Sequence, residues 1–236
     1  MTDSVAQYID HAVLHPTQTD RDVVTACNLC RQHSVASICV KPYALPIATK
    51  VLKGSGVKVG TVIGYPHGGT SGIIKAAEAE WACSKGAEEL DVVINIGDAL
   101  SENFLRIESE LSLVIDRAKQ AGAVVKVILE TGLISSNKIK RELCKLCESA
   151  GADFVKTSTG FGFVKTDDGN IVATGATEHD VELMREFCSK KVGVKASGGI
   201  RTLEEVQLFL ELGATRIGTS STELILAEEA ELNSEI

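Results

Sequence analysis

KGAEELDVVIN, residues 85–95, holds a helix end, a Gly-Ala step and a strand in one short stretch. Glycine suits the left-handed position that closes a helix. The run from Glu89 to Asn95 that follows is apolar except for its acids and its terminal Asn95. The same step recurs at Gly122-Ala123, Gly151-Ala152 and Gly213-Ala214. Helix and strand alternating at a period of roughly 30 residues is the pattern of βαβ units.

Working outward, eight strands are expected: Tyr8–Leu14, Ala36–Val40, Val57–Ile63, Glu89–Asn95, Val124–Glu130, Asp153–Ser158, Val192–Ser197 and Thr215–Thr219. Several are near-continuous apolar runs, as parallel strands covered on both faces require. Helical patterns lie between them. Ile73, Ile74, Ala77 and Trp81 form one apolar stripe, and Leu111, Val114, Ile115 and Ala118 another. Thr202 to Glu205 reads as a capping box. Eight such units predict an α/β protein, a (β/α)8 TIM barrel in a single domain over 1–236, with an extra N-terminal helix. The 236 residues match the roughly 250 that a barrel uses. One stretch breaks the rhythm: FGFVKTDDGNIVAT, residues 161–174, with a turn at Asp167-Asp168-Gly169-Asn170. It reads as an inserted hairpin after the sixth strand. Disorder is expected only in the tail, about 228–236.

Four charges sit inside apolar strands: Asp91, Lys126, Lys156 and Lys195. An unpaired charge there is costly, and one alone would read as a structural ion pair. Four together, near the C-terminal strand ends where barrels keep their working groups, point to chemistry. Asp91 shares strand parity with Val93 and Asn95. Lysines on strands six and seven would stand one strand spacing apart, about 4.8 Å. A free lysine is neutral only about once in 2,500 at pH 7. Burial and a neighbouring cation both disfavour the ammonium, and a shift of about three units would leave roughly a quarter neutral. That is how a Schiff-base lysine is activated. Asp91 is the candidate for proton transfer.

A second feature is a pair of glycine-rich turns, Gly198-Gly199-Ile200-Arg201 and Gly218-Thr219-Ser220-Ser221. Backbone N–H groups at such turns, next to helix starts, suit an anion, and barrels often hold phosphate after strands seven and eight. Other chemistries fare worse. The five histidines lack zinc spacing, although His67 in YPHGG is a candidate for the rim of the site. Cys27/Cys30 and Cys144/Cys147 fall in helical patterns and read as buried helix cysteines rather than as a zinc site. No nucleophile elbow is present. The net charge is −8 with no basic run, which argues against nucleic acid. No apolar run would span a membrane, no export signal is read, and a cytoplasmic protein is expected.

At this point the motifs match a known family. YIDH at 8–11, CVKP at 39–42, TVIGYP at 61–66, ELDVVIN at 89–95, KVILET at 126–131, KTSTGF at 156–161 and VKASGGI at 194–200 all resemble deoxyribose-phosphate aldolase. The resemblance runs from about residue 8 to 222. It implies reversible aldol addition of acetaldehyde to glyceraldehyde 3-phosphate, giving 2-deoxyribose 5-phosphate, with no metal and no organic cofactor. It gives Lys156 the Schiff base, Lys195 the lowering of its pKa, and Asp91 the proton relay. Phosphate contacts fall to Gly160, Gly198, Gly199, Gly218 and Ser220, with Ser221 nearby. Partners are thus a phosphorylated sugar and an aldehyde, and a homodimer is the family expectation. The chain departs from the family in four places. Phe161 stands where some members have lysine. The 161–174 stretch lengthens the link to Gly175-Ala176-Thr177. Lys41 stands where asparagine is common. The chain ends Asn233-Ser234-Glu235-Ile236 instead of in tyrosine. Lys165 is a candidate to supply the charge that Phe161 cannot. A related Schiff-base barrel of the thiolase or transaldolase kind, and a non-catalytic sugar-phosphate sensor, are the competing readings.

Overall fold

The computed structural model describes residues 4–234. Eight parallel strands close into a barrel. They are β1 (Ile9–Val13), β2 (Ser37–Val40), β3 (Lys58–Ile63), β4 (Glu89–Val93), β5 (Val124–Ile128), β6 (Phe154–Lys156), β9 (Gly193–Ser197) and β10 (Arg216–Thr219), with β10 pairing back to β1. The helices between them are α1 (Asp20–His33), α2 (Leu45–Leu52), α3 (Gly72–Ser84), α4 (Ile96–Leu100), α5 (Phe104–Gln120), α6 (Asn137–Ala150), α7 (Glu178–Phe187), α8 (Leu203–Glu211) and α9 (Thr222–Ser234) among the described residues. Gly86, Gly122, Gly151 and Gly213, the glycines of the Gly-Ala steps, all have positive φ. No helix among the described residues is long and apolar enough to cross a membrane.

Strand alternation divides the core in two. Residues such as Leu90 and Val92 of β4, Val125 and Val127 of β5, and Val194 and Ala196 of β9 are buried in the main core beneath the helices. Their neighbours of opposite parity face the barrel interior. On one side that interior is apolar, built on Leu14, Cys39 and Val62 with Ala12, Tyr65 and Phe161 against them. Barrel interiors are usually filled by branched aliphatics. Here the other side is filled by charge: Asp10, Glu89, Asp91, Lys126, Lys156 and Lys195, all buried.

The inserted stretch forms an antiparallel hairpin, β7 (Phe163–Lys165) with β8 (Ile171–Ala173), turning at Gly169. Thr202 and Glu205 make the expected capping box.

Several expectations are corrected. The N-terminal helix is only a 3-10 turn, Val5–Tyr8, among the described residues. The tail is ordered as far as Ser234, because its acids are used. Glu228 accepts the Leu203 N–H at 2.6 Å, and Glu229 accepts the Val5 N–H at 2.8 Å. Glu235 and Ile236 lie outside the described residues. Asn95 does not continue its strand but caps α4 (Ile96–Leu100), accepting the Asp98 N–H at 3.2 Å. The strand after β4 stops at Ile128, and Glu130 turns into the left-handed region at φ 54°. The stripe Ile73, Ile74, Ala77 and Trp81 faces outward, and α3 buries Lys75, Ala76, Ala79 and Ala82 instead. Small residues let α3 lie close to α5, where a Cβ at Gly72 would be 3.1 Å from Glu110 Cα. The Lys75 ammonium reaches Glu110 at 2.6 Å and the Val93 carbonyl at 2.7 Å.

Candidate active site

The site begins with barrel register. Asp91 on β4 is level with Lys126 on β5, and Lys156 on β6 is level with Lys195 on β9. All four side chains point inward. Asp91 Oδ2 accepts from Lys156 Nζ at 2.6 Å and from Lys195 Nζ at 2.7 Å, while Oδ1 accepts from Lys126 Nζ at 3.1 Å. Lys195 also reaches Asp10 at 2.5 Å, and Lys126 reaches Glu89 at 2.5 Å and Asp10 at 3.0 Å. Arg216 of β10 closes the network onto Asp10 at 2.6 Å and Glu89 at 3.1 Å.

This network holds three carboxylates (Asp10, Glu89, Asp91) and four basic groups (Lys126, Lys156, Lys195, Arg216). A buried set is cheapest at zero net charge, since isolated buried charge is strongly disfavoured. Charges balance when one base is neutral. Arginine does not give up its proton. Lys126 touches three carboxylates and Lys195 two, but Lys156 has only Asp91 Oδ2, which it shares with Lys195. Lys156 is therefore the base least firmly held in its charged form.

The titration of each group follows the same logic. Burial lowers the Lys156 pKa, Asp91 opposes this, and the Lys195 cation lowers it further. Burial also works against charged Lys195, but Asp10 and Asp91 outweigh it and hold it above the usual lysine value. Lys126 is likewise raised, by Asp10, Asp91 and Glu89 against burial. Burial would raise Asp91, and its three lysines drive it well below the carboxylate range. The arrangement thus sets one lysine, shifted toward its neutral form, beside a fixed cation and a fixed anion.

Above this floor opens a cavity of about 460 Å³, within the range of small-ligand sites. Asp10, Lys156 and Lys195 line it, whereas Asp91 and Lys126 lie beneath. Gly160, Gly198, Gly199, Gly218 and Ser220 line one side, with the exposed Arg201. Gly160, Gly198 and Gly199 have φ of 86°, 90° and 88°, and a Cβ at Gly160 or Gly199 would meet nothing. Their backbone can approach a ligand closely. The start of α8 is already satisfied. Glu205 accepts the N–H groups of Arg201 and Thr202, and Glu228 that of Leu203. An anion here would meet the glycine loop and the Arg201 guanidinium, not that helix end.

The structure thus brings together Lys156, Lys195, Asp91 and five of the six candidate anion contacts. Ser221 lies apart, in a groove between α1 and α9. Lys165 is exposed and absent from the cavity lining, its Cε 3.9 Å from a Cβ built on Gly169 at the hairpin tip. His67 is exposed and outside the lining. Cys27, Cys30, Cys144 and Cys147 are buried on α1 and α6, and no metal-ligating cluster occurs among the described residues. Sequence reasoning missed Asp10, Glu89 and Arg216. Strand parity was the available signal, since each shares the inward face with a residue already singled out or one register step away. It also missed Tyr65, whose hydroxyl donates to the Thr159 carbonyl at 2.7 Å, and Phe163, the hairpin's contribution to the cavity.

The family model described as DeoC/LacD family aldolase matches residues 4–221. The deoxyribose-phosphate aldolase of Treponema denticola is 39% identical over 215 residues, covering 91% of this chain and 94% of its own. Deoxyribose-phosphate aldolase 1 of Oceanobacillus iheyensis is 43% identical over 225 residues, covering 95% and 96%. The solved deoxyribose phosphate aldolase of Aeropyrum pernix, described as a unique tetramer, superimposes with a TM-score of 0.85 at 33% identity, covering 97% of this chain and 92% of that one.

The charge balance predicts the effect of Lys126→Met. With one cation gone, three carboxylates balance three bases only if Lys156 is protonated. The pH dependence of Lys156 trapping by an aldehyde and borohydride should move to higher pH by about one unit, with trapping slower at pH 7. An unshifted profile in the folded variant would refute the balance argument.

Proposed function

The chain belongs to the DeoC/LacD family of aldolases, and on that premise we propose that it reversibly cleaves 2-deoxy-D-ribose 5-phosphate to acetaldehyde and D-glyceraldehyde 3-phosphate through a Schiff base on Lys156. The observation that carries this reading is the Lys156 amine, buried, shifted toward neutrality and opening to the cavity.

In the cleavage direction, neutral Lys156 Nζ attacks the C1 aldehyde and water leaves, giving a protonated imine. The C3 hydroxyl loses its proton and the C2–C3 bond breaks. Its electron pair passes into the imine to form an enamine, and glyceraldehyde 3-phosphate departs. Protonation at C2 and addition of water to the imine then release acetaldehyde and restore the amine. The fixed charges of Lys195 and Asp91 flank the nitrogen where positive charge appears and disappears, a placement that acts on that charge electrostatically. The phosphate is assigned to Gly160, Gly198, Gly199, Gly218 and Ser220, with Arg201 as the cation on that side.

We also propose that two copies associate through the outward stripe of α3. Ile73 and Ile74 are 74% and 52% exposed, and Leu105 on α5 is 81% exposed. An apolar face of this kind on a chain of net charge −8 is what a symmetric partner would cover.

Incubation with 2-deoxyribose 5-phosphate and borohydride should leave a stable adduct on Lys156, located by mass spectrometry and absent from Lys156→Ala. An adduct on Lys126 or Lys195 instead would defeat the assignment. Arg201→Ala should raise KM for the phosphorylated sugar roughly tenfold, as loss of a charged contact does, while Lys165→Ala should leave KM unchanged. The reverse ranking would return the phosphate to the hairpin. Trp81→Glu together with Ile74→Glu should shift a dimer to monomer by light scattering, and a mass unaffected by the pair would remove this face from the interface.

A further inference from the structure

One buried acid has no part in the steps above. Glu130 lies just past β5 in the left-handed conformation and is 1% exposed. Its Oε2 accepts both the N–H and the hydroxyl of Thr159, at 3.1 and 2.5 Å. Thr159 Oγ1 in turn accepts the Phe161 N–H at 3.0 Å. The loop that leaves Lys156 and passes Gly160 to Phe161 is therefore tied to Glu130 through Thr159.

The other carboxylate oxygen faces the base of the hairpin. There the Thr174 N–H donates to the Gly162 carbonyl at 2.8 Å. A Cβ on Gly162 would lie 3.0 Å from Glu130 Oε1 and closer still to Thr174 Oγ1. A Cβ on Gly132 would run into Thr174 as well. Side-chain-free backbone at 132 and 162 is what lets the hairpin base close onto this acid. Glu130 Oε1, Thr131 Oγ1, Ser158 Oγ and Thr174 Oγ1 are buried without a hydrogen-bond partner among the described residues. Such atoms are rare, and these four belong to the three segments that converge here.

We propose that Glu130 is a positioning residue that fastens the loop behind Lys156 through Thr159, with the base of the hairpin closed against it, and so sets Gly160 and the hairpin's Phe163 toward the phosphorylated end of the substrate. This rests on the aldolase reading. Burial raises the Glu130 carboxyl, against hydrogen bonds from Thr159 and the charges of Lys156 and His67. A neutral side chain that keeps the acceptor should therefore serve.

The test compares Glu130→Ala, Glu130→Asp and Glu130→Gln with the wild type. The readouts are kcat and KM on 2-deoxyribose 5-phosphate and on unphosphorylated 2-deoxyribose, and the rate of Lys156 trapping by acetaldehyde and borohydride. Alanine, and aspartate with its side chain one methylene too short, should raise KM for the phosphorylated sugar roughly tenfold. Trapping and kcat/KM on the plain sugar should stay within about twofold. Glutamine, whose amide oxygen accepts both Thr159 groups, should restore the KM. If alanine does not fold, aspartate gives the same comparison. Equal losses on both sugars, no loss on either, or failure of glutamine to rescue would each overturn the proposal. A wild type that cleaves neither sugar would instead bring down the aldolase reading, and this proposal with it.

Discussion

The Asp91 carboxylate is the constraint on which the site depends. One of its oxygens is shared by Lys156 and Lys195, whose strands are separated from β4 by the barrel interior and by β5. Only a closed barrel brings β4, β6 and β9 to a common interior point. The sharing leaves each lysine with less than a full counter-charge there, and Lys195 makes good the deficit with Asp10. Lys156 has no second acid. Each unit by which its pKa falls corresponds to about 1.4 kcal/mol of differential interaction. The asymmetry between two lysines at the same register is thus an asymmetry in their acidic neighbours.

The rest of the cavity is arranged around that floor. On the β1–β3 side, Ala12, Leu14, Cys39, Tyr65 and Phe161 form an apolar wall. On the β9–β10 side, the wall is backbone and Arg201. Glu205 and Glu228, beside that wall, accept backbone N–H groups at the start of α8, and Arg201 is the cation that lines the opening there. The polarity of the site therefore runs from apolar to cationic across one small opening. A phosphorylated aldehyde, with its phosphate at one end and its carbonyl at the other, matches that gradient.

Much of this was legible because β-strand parity is rigid. A charge in an apolar strand faces either the interior or the helices, and register then places it against its neighbours. Lys156 and Lys195 were paired on that basis, and they are register partners. The boundaries were less legible. Glu130 continues an apolar run, yet the chain turns left-handed there, a local event with no glycine to mark it. The apolar stripe of α3 shows the limit of periodicity. Ile73, Ile74, Ala77 and Trp81 repeat correctly for a helix, but so do Lys75, Ala76, Ala79 and Ala82. The close approach to α5 at Gly72 and the Lys75–Glu110 pair select the second set for burial. A single sequence does not show which neighbour a helix will meet. Arg216 and Asp10 escaped although each is a single acid or base in its strand, as Lys195 is, because their register with Lys195 and Gly218 emerges only in the folded barrel.

A core of this kind is not the most stable one available. Replacing buried ion pairs by apolar residues of similar volume is often neutral or stabilising, and most barrels fill their interior that way. This interior instead keeps seven ionisable side chains, and Lys156 is the base among them with a single acidic neighbour. The commitment reaches residues that carry no charge. A Cβ at Gly218 would sit 2.8 Å from Ser197 Cβ and 3.0 Å from Lys195 Cε, and one at Gly193 would enter the Phe154 ring that Arg216 packs over. Gly218 faces the cavity as well. Its missing side chain gives room at once to the stem of the fixed cation below and to a ligand above, so floor and anion side are coupled through one position.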